Sequence, residues 1–328
     1  MHHFFIKKLK QSLMPQSKIR EIQRKLRSKL SFLFEKEEKN SKKEIELINE
    51  IYTYAKDFHD KNVNKKKTHI IFSRKVFNLI LSKKLLNFLQ ISFIQQMFFV
   101  HNRFFLLSYL REMYYSKKWA FWKKILKENT IGNPVRYFLY PSTSGNKIFQ
   151  NYHLKVFEDF SNLNINNLDI VFEFGGGFGN LANTFHKINK KTKYIIFDTY
   201  EVNLLQYYYL KKNNLKPSFN KFDKDNRIYL TNSLDSLKKK INLIKSHKKK
   251  LFIANWSLSE TPLSFRKKFN FIIDLFDYQL ISFQNKFEEI DNLKYFKKIQ
   301  KRNLLLKRDC ILHPVKKIKN NYYLLSRR

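Results

Sequence analysis

The sequence predicts an α/β fold: a largely parallel sheet with helices on both faces, preceded by an α-helical amino-terminal region. Three observations carry this. After Asn167, short apolar runs alternate with helix-like segments. One of those runs, IVFEFGGGFGNLA at 170–182, turns through four glycines in five positions into a helix, and the chain has only six glycines in all. The first 127 residues, finally, read as amphipathic or buried helices.

Taken in order, Ile19, Ile22, Leu26, Leu30 and Leu33 recur every three or four residues and predict a helix over 16–39. Ser41 and Glu44 have the spacing of a capping box, and Ile48, Ile51, Tyr52, Ala55 and Phe58 continue a second helix from it. The Lys and Glu residues of both segments are expected on a solvated face. From 73 to 127 the pattern is apolar nearly all round, as in helices buried between neighbours. The cluster Tyr114, Tyr115, Trp119, Phe121 and Trp122 is read as core rather than as a sugar-stacking platform. Composition changes at Glu128: ENTIGNPVRYFLYPSTSGNKIFQNYHL holds two prolines, two glycines and a Ser-Thr-Ser-Gly turn, and then runs into an amphipathic helix marked by Ile148, Phe149, Tyr152, Val156 and Phe157. Polar loops of this length within a compact chain are usually functional. The expected domains are therefore 1–127, helical, and 128–328, the sheet domain with this loop and helix (128–160) as a wall of the site.

The bulk numbers narrow the class. At 328 residues the chain can bury a substantial core. A net charge of +38 invites a nucleic-acid or anionic-membrane partner, but residues 1–150 and 151–328 carry excesses of +20 and +18, so the charge is spread. The chain is rich in Lys, Asn, Ile, Phe and Tyr and poor in Gly, Pro, Ala and Val, which is the pattern of an A+T-rich coding bias. One cysteine, Cys310, excludes an internal disulfide and a Cys-based zinc cluster and suits a reducing compartment. MHHFFIKKLKQSL lacks the apolar core of a secretory signal, and the most apolar window, 88–110, is interrupted by Gln95, Gln96, His101, Asn102 and Arg103. The expectation is a cytoplasmic protein with no transmembrane segment, a peripheral membrane contact left open and the oligomeric state undetermined. No close-spaced Asp, Glu and His ligands appear, so no metal is expected.

In the second half, DIVFEF, KYIIFD, RIYLT, KLFIANW and FDYQLISF read as strands, with helices starting near Gly179, Glu201, Ser233, Pro262 and Asp291. CILHPV and NNYYLLSRR then form a closing hairpin. Ligands of such sheets lie beyond the carboxyl ends of the strands, where strand order reverses.

Two cofactors compete for the glycine turn. Gly177-x-Gly179-x-x-Ala182, with Asp198 ending the next strand, fits a dinucleotide pattern and NAD. Glu173-x-Gly175-x-Gly177-x-Gly179 resembles the first motif of class I methyltransferases, and the closing hairpin matches their sheet, whose last strand is antiparallel. A carboxylate at the strand end attracts the sulfonium and ammonium of S-adenosyl-L-methionine and repels a pyrophosphate, which favours the methyl donor.

With IGNPVRYFLYPSTSGN and YHL, FEFGGGFGNLA and YIIFD, ANWSLSETP, FQNKF and IDNLKYF, and NNYYLL in one order, the chain from 128 to 328 resembles the sugar O-methyltransferase family, bacterial enzymes associated with surface-polysaccharide synthesis. The resemblance implies a Rossmann-like class I methyltransferase sheet and transfer of a methyl group to a hydroxyl of a sugar or nucleotide-linked sugar. It implies that Glu173, Gly175, Gly177 and Gly179 bind the methionine and ribose part of the cofactor, that Asp198 accepts from the ribose hydroxyls, and that Asn232 and Ser233 flank the adenine. Asn255 and Trp256 would lie beside the methyl, with Ser257 and Glu260 in the loop after them. No block in 1–127 matches.

A sugar hydroxyl is barely acidic, so a general base is expected. His313 ranks first, for its place in the closing hairpin and its ordinary pKa, followed by Glu260 and His153. Two other functions stay in view. A nucleic-acid methyltransferase or binder draws on the charge, but NWSLSETP is unlike the Asn/Asp-Pro-Pro-aromatic signature of base amino-methylating enzymes, so nucleic acid is the disfavoured partner. An NAD-dependent sugar oxidoreductase or epimerase needs a Tyr-x-x-x-Lys pair, and Tyr207 with Lys211 has that spacing only in the helix directly after Asp198.

Overall fold

The computed structural model describes residues 41–62, 71–99, 102–219 and 227–328, so the helix expected over 16–39 lies outside the described residues. Among the described residues, five α-helices come first: α1 (Lys42–Asn62), α2 (Ile71–Leu81), α3 (Ser92–Met97), α4 (Leu106–Tyr114) and α5 (Trp119–Leu126). Ser41 caps α1, its Oγ accepting from the Glu44 amide at 3.3 Å, and Ile48, Ile51 and Ala55 form the buried stripe. Glu44 departs from the expected solvated face. It is buried, accepting from the Tyr208 hydroxyl and, at 2.7 Å, from Lys212 Nζ, because α1 packs on a helix of the second half of the chain.

The loop beginning at Glu128 leads into α6 (Gly145–Ser161), which is followed by β1 (Ile170–Phe174), α7 (Asn180–Ile188), β2 (Lys193–Phe197) and α8 (Tyr200–Lys212). A two-residue β3 (Pro217–Ser218) precedes β4 (Ile228–Thr231), α9 (Leu234–Lys238), α10 (Ile241–Lys245) and β5 (Lys250–Asn255). Then come α11 (Leu263–Ile273), β6 (Tyr278–Gln284), the small hairpin β7 (Lys286–Phe287) and β8 (Ile290–Asp291), α12 (Asn292–Leu305), β9 (Asp309–Pro314) and β10 (Asn321–Arg327). The five expected parallel strands are all present. So is the closing hairpin, with β10 antiparallel to both β6 and β9.

The main sheet runs β3-β4-β2-β1-β5-β6-β10-β9. Without the marginal β3 and numbered by succession, that order is 3-2-1-4-5-7-6 with only the seventh strand reversed, the Rossmann-like class I methyltransferase arrangement. The order reverses between β1 and β5, so a crevice opens beyond their carboxyl ends. Val171 and Glu173 face one side of β1, while Ile170, Phe172 and Phe174 face the other, each side under its own helical layer.

The first of these two cores continues without a break into the amino-terminal helices, from Ile48 and Val76 through Phe88 and Trp122 to Leu204 and Tyr208. The aromatic cluster divides at this surface: Trp122 is buried, but Tyr114 and Tyr115 are 54% and 73% exposed. α4 and α5 turn only one stripe toward α6, and the two tyrosines close the last turn beyond it.

A buried polar node fixes the loop. Lys147 Nζ, fully enclosed at the start of α6, lies 3.3 Å from Glu128 Oε1 and donates to Asn180 Oδ1 at 3.2 Å, on the first residue after the glycine turn. Asn180 Nδ2 in turn donates to Asn146 Oδ1 at 2.8 Å, and Asn146 Nδ2 to the Phe98 carbonyl at 2.6 Å. Burial is the largest single influence and would neutralise both ions, but the partner's charge and the surrounding hydrogen bonds and charges together outweigh it, holding the Glu128 carboxyl below its ordinary value and the Lys147 ammonium above. Lys147→Met therefore strands a buried carboxylate and is expected to lower stability by about 3–5 kcal/mol in urea unfolding. Glu128→Leu with Lys147→Met is expected to lose much less. Equal losses in the single and double variants would contradict this account of the node.

Candidate active site

The crevice is a cavity of about 1040 Å³ lined by the glycine turn, the ends of β2 and β5, and aromatic rings from α2 and α3. Its floor is main chain. Gly175, Gly177 and Gly179 have φ of +73°, +56° and +92°. A Cβ on Gly175 would lie 2.2 Å from the Ser257 Cβ, so the turn closes only without a side chain there. Ser257 seals the join, donating its hydroxyl to the Phe174 carbonyl.

Two carboxyls face each other across the turn. Glu173, 4% exposed, accepts from the Tyr194 hydroxyl at 2.7 Å. Asp198 accepts from the Thr199 amide at 2.8 Å and from Gln206 Nε2 at 3.0 Å, and the same amide nitrogen donates to the Gly177 carbonyl at 2.9 Å. Burial raises the Glu173 carboxyl to about 8, with the Tyr194 hydrogen bond opposing and nearby Asp198 adding to the rise. Burial also lifts Asp198 to about 7 against the hydrogen bonds from Thr199, Gln206 and the Gly176 amide. The expected carboxylate at 173 is thus largely protonated at neutral pH. It is not turned into hydrocarbon, and it lines the cavity beside Gly175 and Gly176.

Trp256, the residue after β5, has φ +63°, an outlier for a bulky side chain. The strain is held by its Nε1–H donating to Asn321 Oδ1 at 2.6 Å and by its ring stacking on Phe149, centroids 5.2 Å apart. Asn255 beside it lines the crevice with both amide atoms engaged, donating to Gln150 Oε1 at 3.0 Å and accepting from Ser282 Oγ at 2.9 Å.

The remaining expected residues separate. Asn232 lines the crevice, but Ser233 does not: its Oγ accepts from the Ser236 amide at 3.2 Å as the cap of α9, and Leu234 takes the lining position. Glu260, closing the short 3₁₀ turn Ser257–Glu260, is solvent-accessible at the mouth, and the walls around it raise its carboxyl by desolvation. His313 is not in the crevice. It lies exposed on edge strand β9, its ring parallel to Tyr323 opposite, because β10 stands between β9 and the rest of the sheet. His153 lies behind the wall, fully buried with Nδ1 2.6 Å from the Tyr323 hydroxyl and its ring edge-on to Trp256. Burial depresses it to about 3, so it stays neutral and is poorly suited to accept a substrate proton. Among the described residues no group of three or more His, Cys, Asp or Glu is arranged to hold a metal.

The sequence reading missed Phe72, Phe93, Phe98, Gln150, Tyr194 and Gln206. The last two had a signal: a hydroxyl in the otherwise apolar run KYIIF, and an amide on an apolar helix face. The phenylalanines had none. Only packing of the amino-terminal helices sets Phe98 over Gly177. Tyr207 and Lys211 lie outside the crevice, the tyrosine hydroxyl donating to Glu50 at 2.8 Å.

No protein-family model matches the chain, and no curated protein matches it. Solved structures similar to it include an O-methyltransferase family protein from Burkholderia thailandensis (10% identity, 68% of this chain and 71% of that one, TM-score 0.35). A magnesium protoporphyrin IX methyltransferase from Synechocystis PCC 6803, with bound S-adenosylmethionine, is 11% identical over 68% of this chain and 97% of that one, TM-score 0.35. An rRNA methylase from Streptococcus thermophilus is 13% identical over 54% and 93%, TM-score 0.34. At these scores the likeness adds nothing to the strand order, on which the fold assignment rests.

The two carboxyls make a testable mark on stability. Unfolded, Glu173 ionises near 4.5; folded, it holds its proton to about 8, so the fold binds more protons and loses stability as pH rises between those values. Glu173→Gln is expected to match the wild type near pH 4 and to exceed it in urea unfolding at pH 8. Parallel pH profiles for the two proteins would refute the buried, protonated state.

Proposed function

We propose that the protein is an S-adenosyl-L-methionine-dependent O-methyltransferase acting on a hydroxyl of a sugar or nucleotide-linked sugar. The observation that carries this is the bare glycine turn flanked by Glu173 and Asp198 at the point where a 3-2-1-4-5-7-6 sheet reverses its order. The residues present fit the cofactor. Two acidic groups on either side of exposed main chain suit a ligand with a sulfonium, an ammonium and ribose hydroxyls, and offer nothing to a pyrophosphate. Glu173 and the turn hold the amino-acid end, Asp198 the ribose, and Asn232, Leu234 and Phe265 the base. Bound there, the cofactor supplies a methyl group on a positively charged sulfur.

The chain's own share is alignment and exclusion of water. Trp256, Phe98 and Phe99 wall the acceptor side, and such rings also suit the apolar face of a sugar. Gln150 is held in that wall by Asn255. Of the three expected bases only Glu260 reaches the cavity, and it takes the acceptor hydroxyl's proton at its carboxylate oxygen. Its raised pKa supports that role, since a stronger base gains more from the transfer.

Calorimetry separates the readings. S-adenosylmethionine is expected to bind with proton release near neutral pH, and more tightly as pH rises toward 8, because a cation beside Glu173 lowers its pKa. Glu173→Ala is expected to weaken binding at least tenfold. Equal affinity in that variant, or tight NAD binding, removes the assignment. S-adenosylhomocysteine release with a panel of nucleotide sugars is expected to need Glu260, with Glu260→Gln lowering kcat roughly 10²-fold or more and abolishing its acidic limb. Turnover only with RNA would replace the acceptor class.

A further inference from the structure

The edge of the sheet opposite the crevice presents an unusual surface. α12 starts level with the crevice and runs back, and its last residues are Leu304 and Leu305, with Leu306 as cap. All three are exposed, at 53%, 84% and 46%. Soluble proteins scatter single leucines over their surfaces; three in succession at a projecting turn call for a ligand or a surface. The turn is built. Asn303 and Arg308, both buried, bracket the leucines: Arg308 donates to Asn303 Oδ1 at 3.0 Å and to the Asp274 carbonyl at 2.7 Å, and Asn303 donates to Gln279 Oε1 at 2.8 Å. The apolar tip is thus held outward by a rigid base.

The loops at this edge add charge. Strand register puts the amino ends of β1, β2 and β5 level with one another, and Asp309 at the start of β9 beside Arg327 near the end of β10. Lys190, Lys191, Lys248, Lys249 and Lys307 on these loops and Lys245 at the end of α10 are exposed, and their ammonium groups have no carboxylate partner among the described residues. The acids nearby are already engaged. Asp169 accepts from the Lys248 and Lys249 amides, Asp274 pairs with Arg302, Asp277 with Lys250 and Arg328, and Asp309 with Arg327.

We propose that this edge docks on an anionic lipid bilayer, with Leu304, Leu305 and Leu306 in the acyl boundary and the lysines on the headgroups. The pairing of a projecting apolar tip with unneutralised lysines selects that partner. A nucleic acid would use the charge but has no use for the leucines. A second copy would cover the leucines but set like charges against one another. The crevice, at the far edge, would face the aqueous side.

Flotation tests this. The full-length protein is expected to float with vesicles of phosphatidylglycerol and phosphatidylcholine, less so as salt rises, and not with phosphatidylcholine alone. Leu305→Ser is expected to lower the partition roughly tenfold. Leu305→Trp, a change at an exposed position, is expected to keep binding and to add emission that shifts blue only with anionic vesicles. The proposal falls if Leu305→Ser floats like the wild type, if the added emission does not shift, or if nothing floats. Binding of polyuridylate in place of vesicles, or a halved mass for Leu305→Ser in light scattering, would reassign the surface and overturn it equally.

Discussion

The buried pair of Lys147 and Glu128 is the constraint on which the rest depends. An ammonium with no access to water is tolerable only where its partners are held in place; here it stands at the start of α6, and its partners come from two other segments, the loop at 128 and the first residue of α7. Because Asn180 follows the glycine turn directly, whatever moves the loop moves the floor of the crevice. The chain from Asn180 through Asn146 to the Phe98 carbonyl extends the same tie to the amino-terminal helices. Buried ion pairs add little net stability, but they tolerate few alternative arrangements, and that restriction suits a cavity wall assembled from distant parts of the sequence.

The crevice has two characters. Its floor is polar and nearly bare, with Glu173 and Asp198 held by Tyr194, Gln206 and main-chain amides. Its walls are rings drawn from the amino-terminal segment before residue 100, from the second half of the chain and from the strained Trp256. Burial disfavours the charged form of both carboxyls, with Asp198 adding to the rise at Glu173, so the crevice keeps protons that a cationic ligand would displace. The proposed cofactor and the site's electrostatics are in this sense one statement.

The large positive charge is better understood with the fold in hand. Spread evenly along the sequence, it carries no pattern in one dimension. The sheet gathers part of it at the edge opposite the crevice, where short loops between parallel strands each contribute a lysine or two, while the acids there are consumed in ion pairs and amide contacts.

By itself the sequence determined the layered architecture and the location of the crevice. Strands of buried residues alternating with helices admit a parallel sheet and little else, and the glycine turn after Phe174 marks its ligand end, since both signals are local and a few residues long. Glu173, Asp198, Asn255 and Trp256 were legible for that reason. What only the tertiary structure decided was which side chains share a space. His313 and His153 carried the right chemistry in the right half of the chain, yet one lies on an outer strand and the other behind an indole, because strand order and helix packing depend on contacts far apart in sequence. The burial of Glu44, the covering of Gly177 by Phe98 and the protonation of Glu173 follow the same logic: each is set by neighbours that no window of the sequence contains.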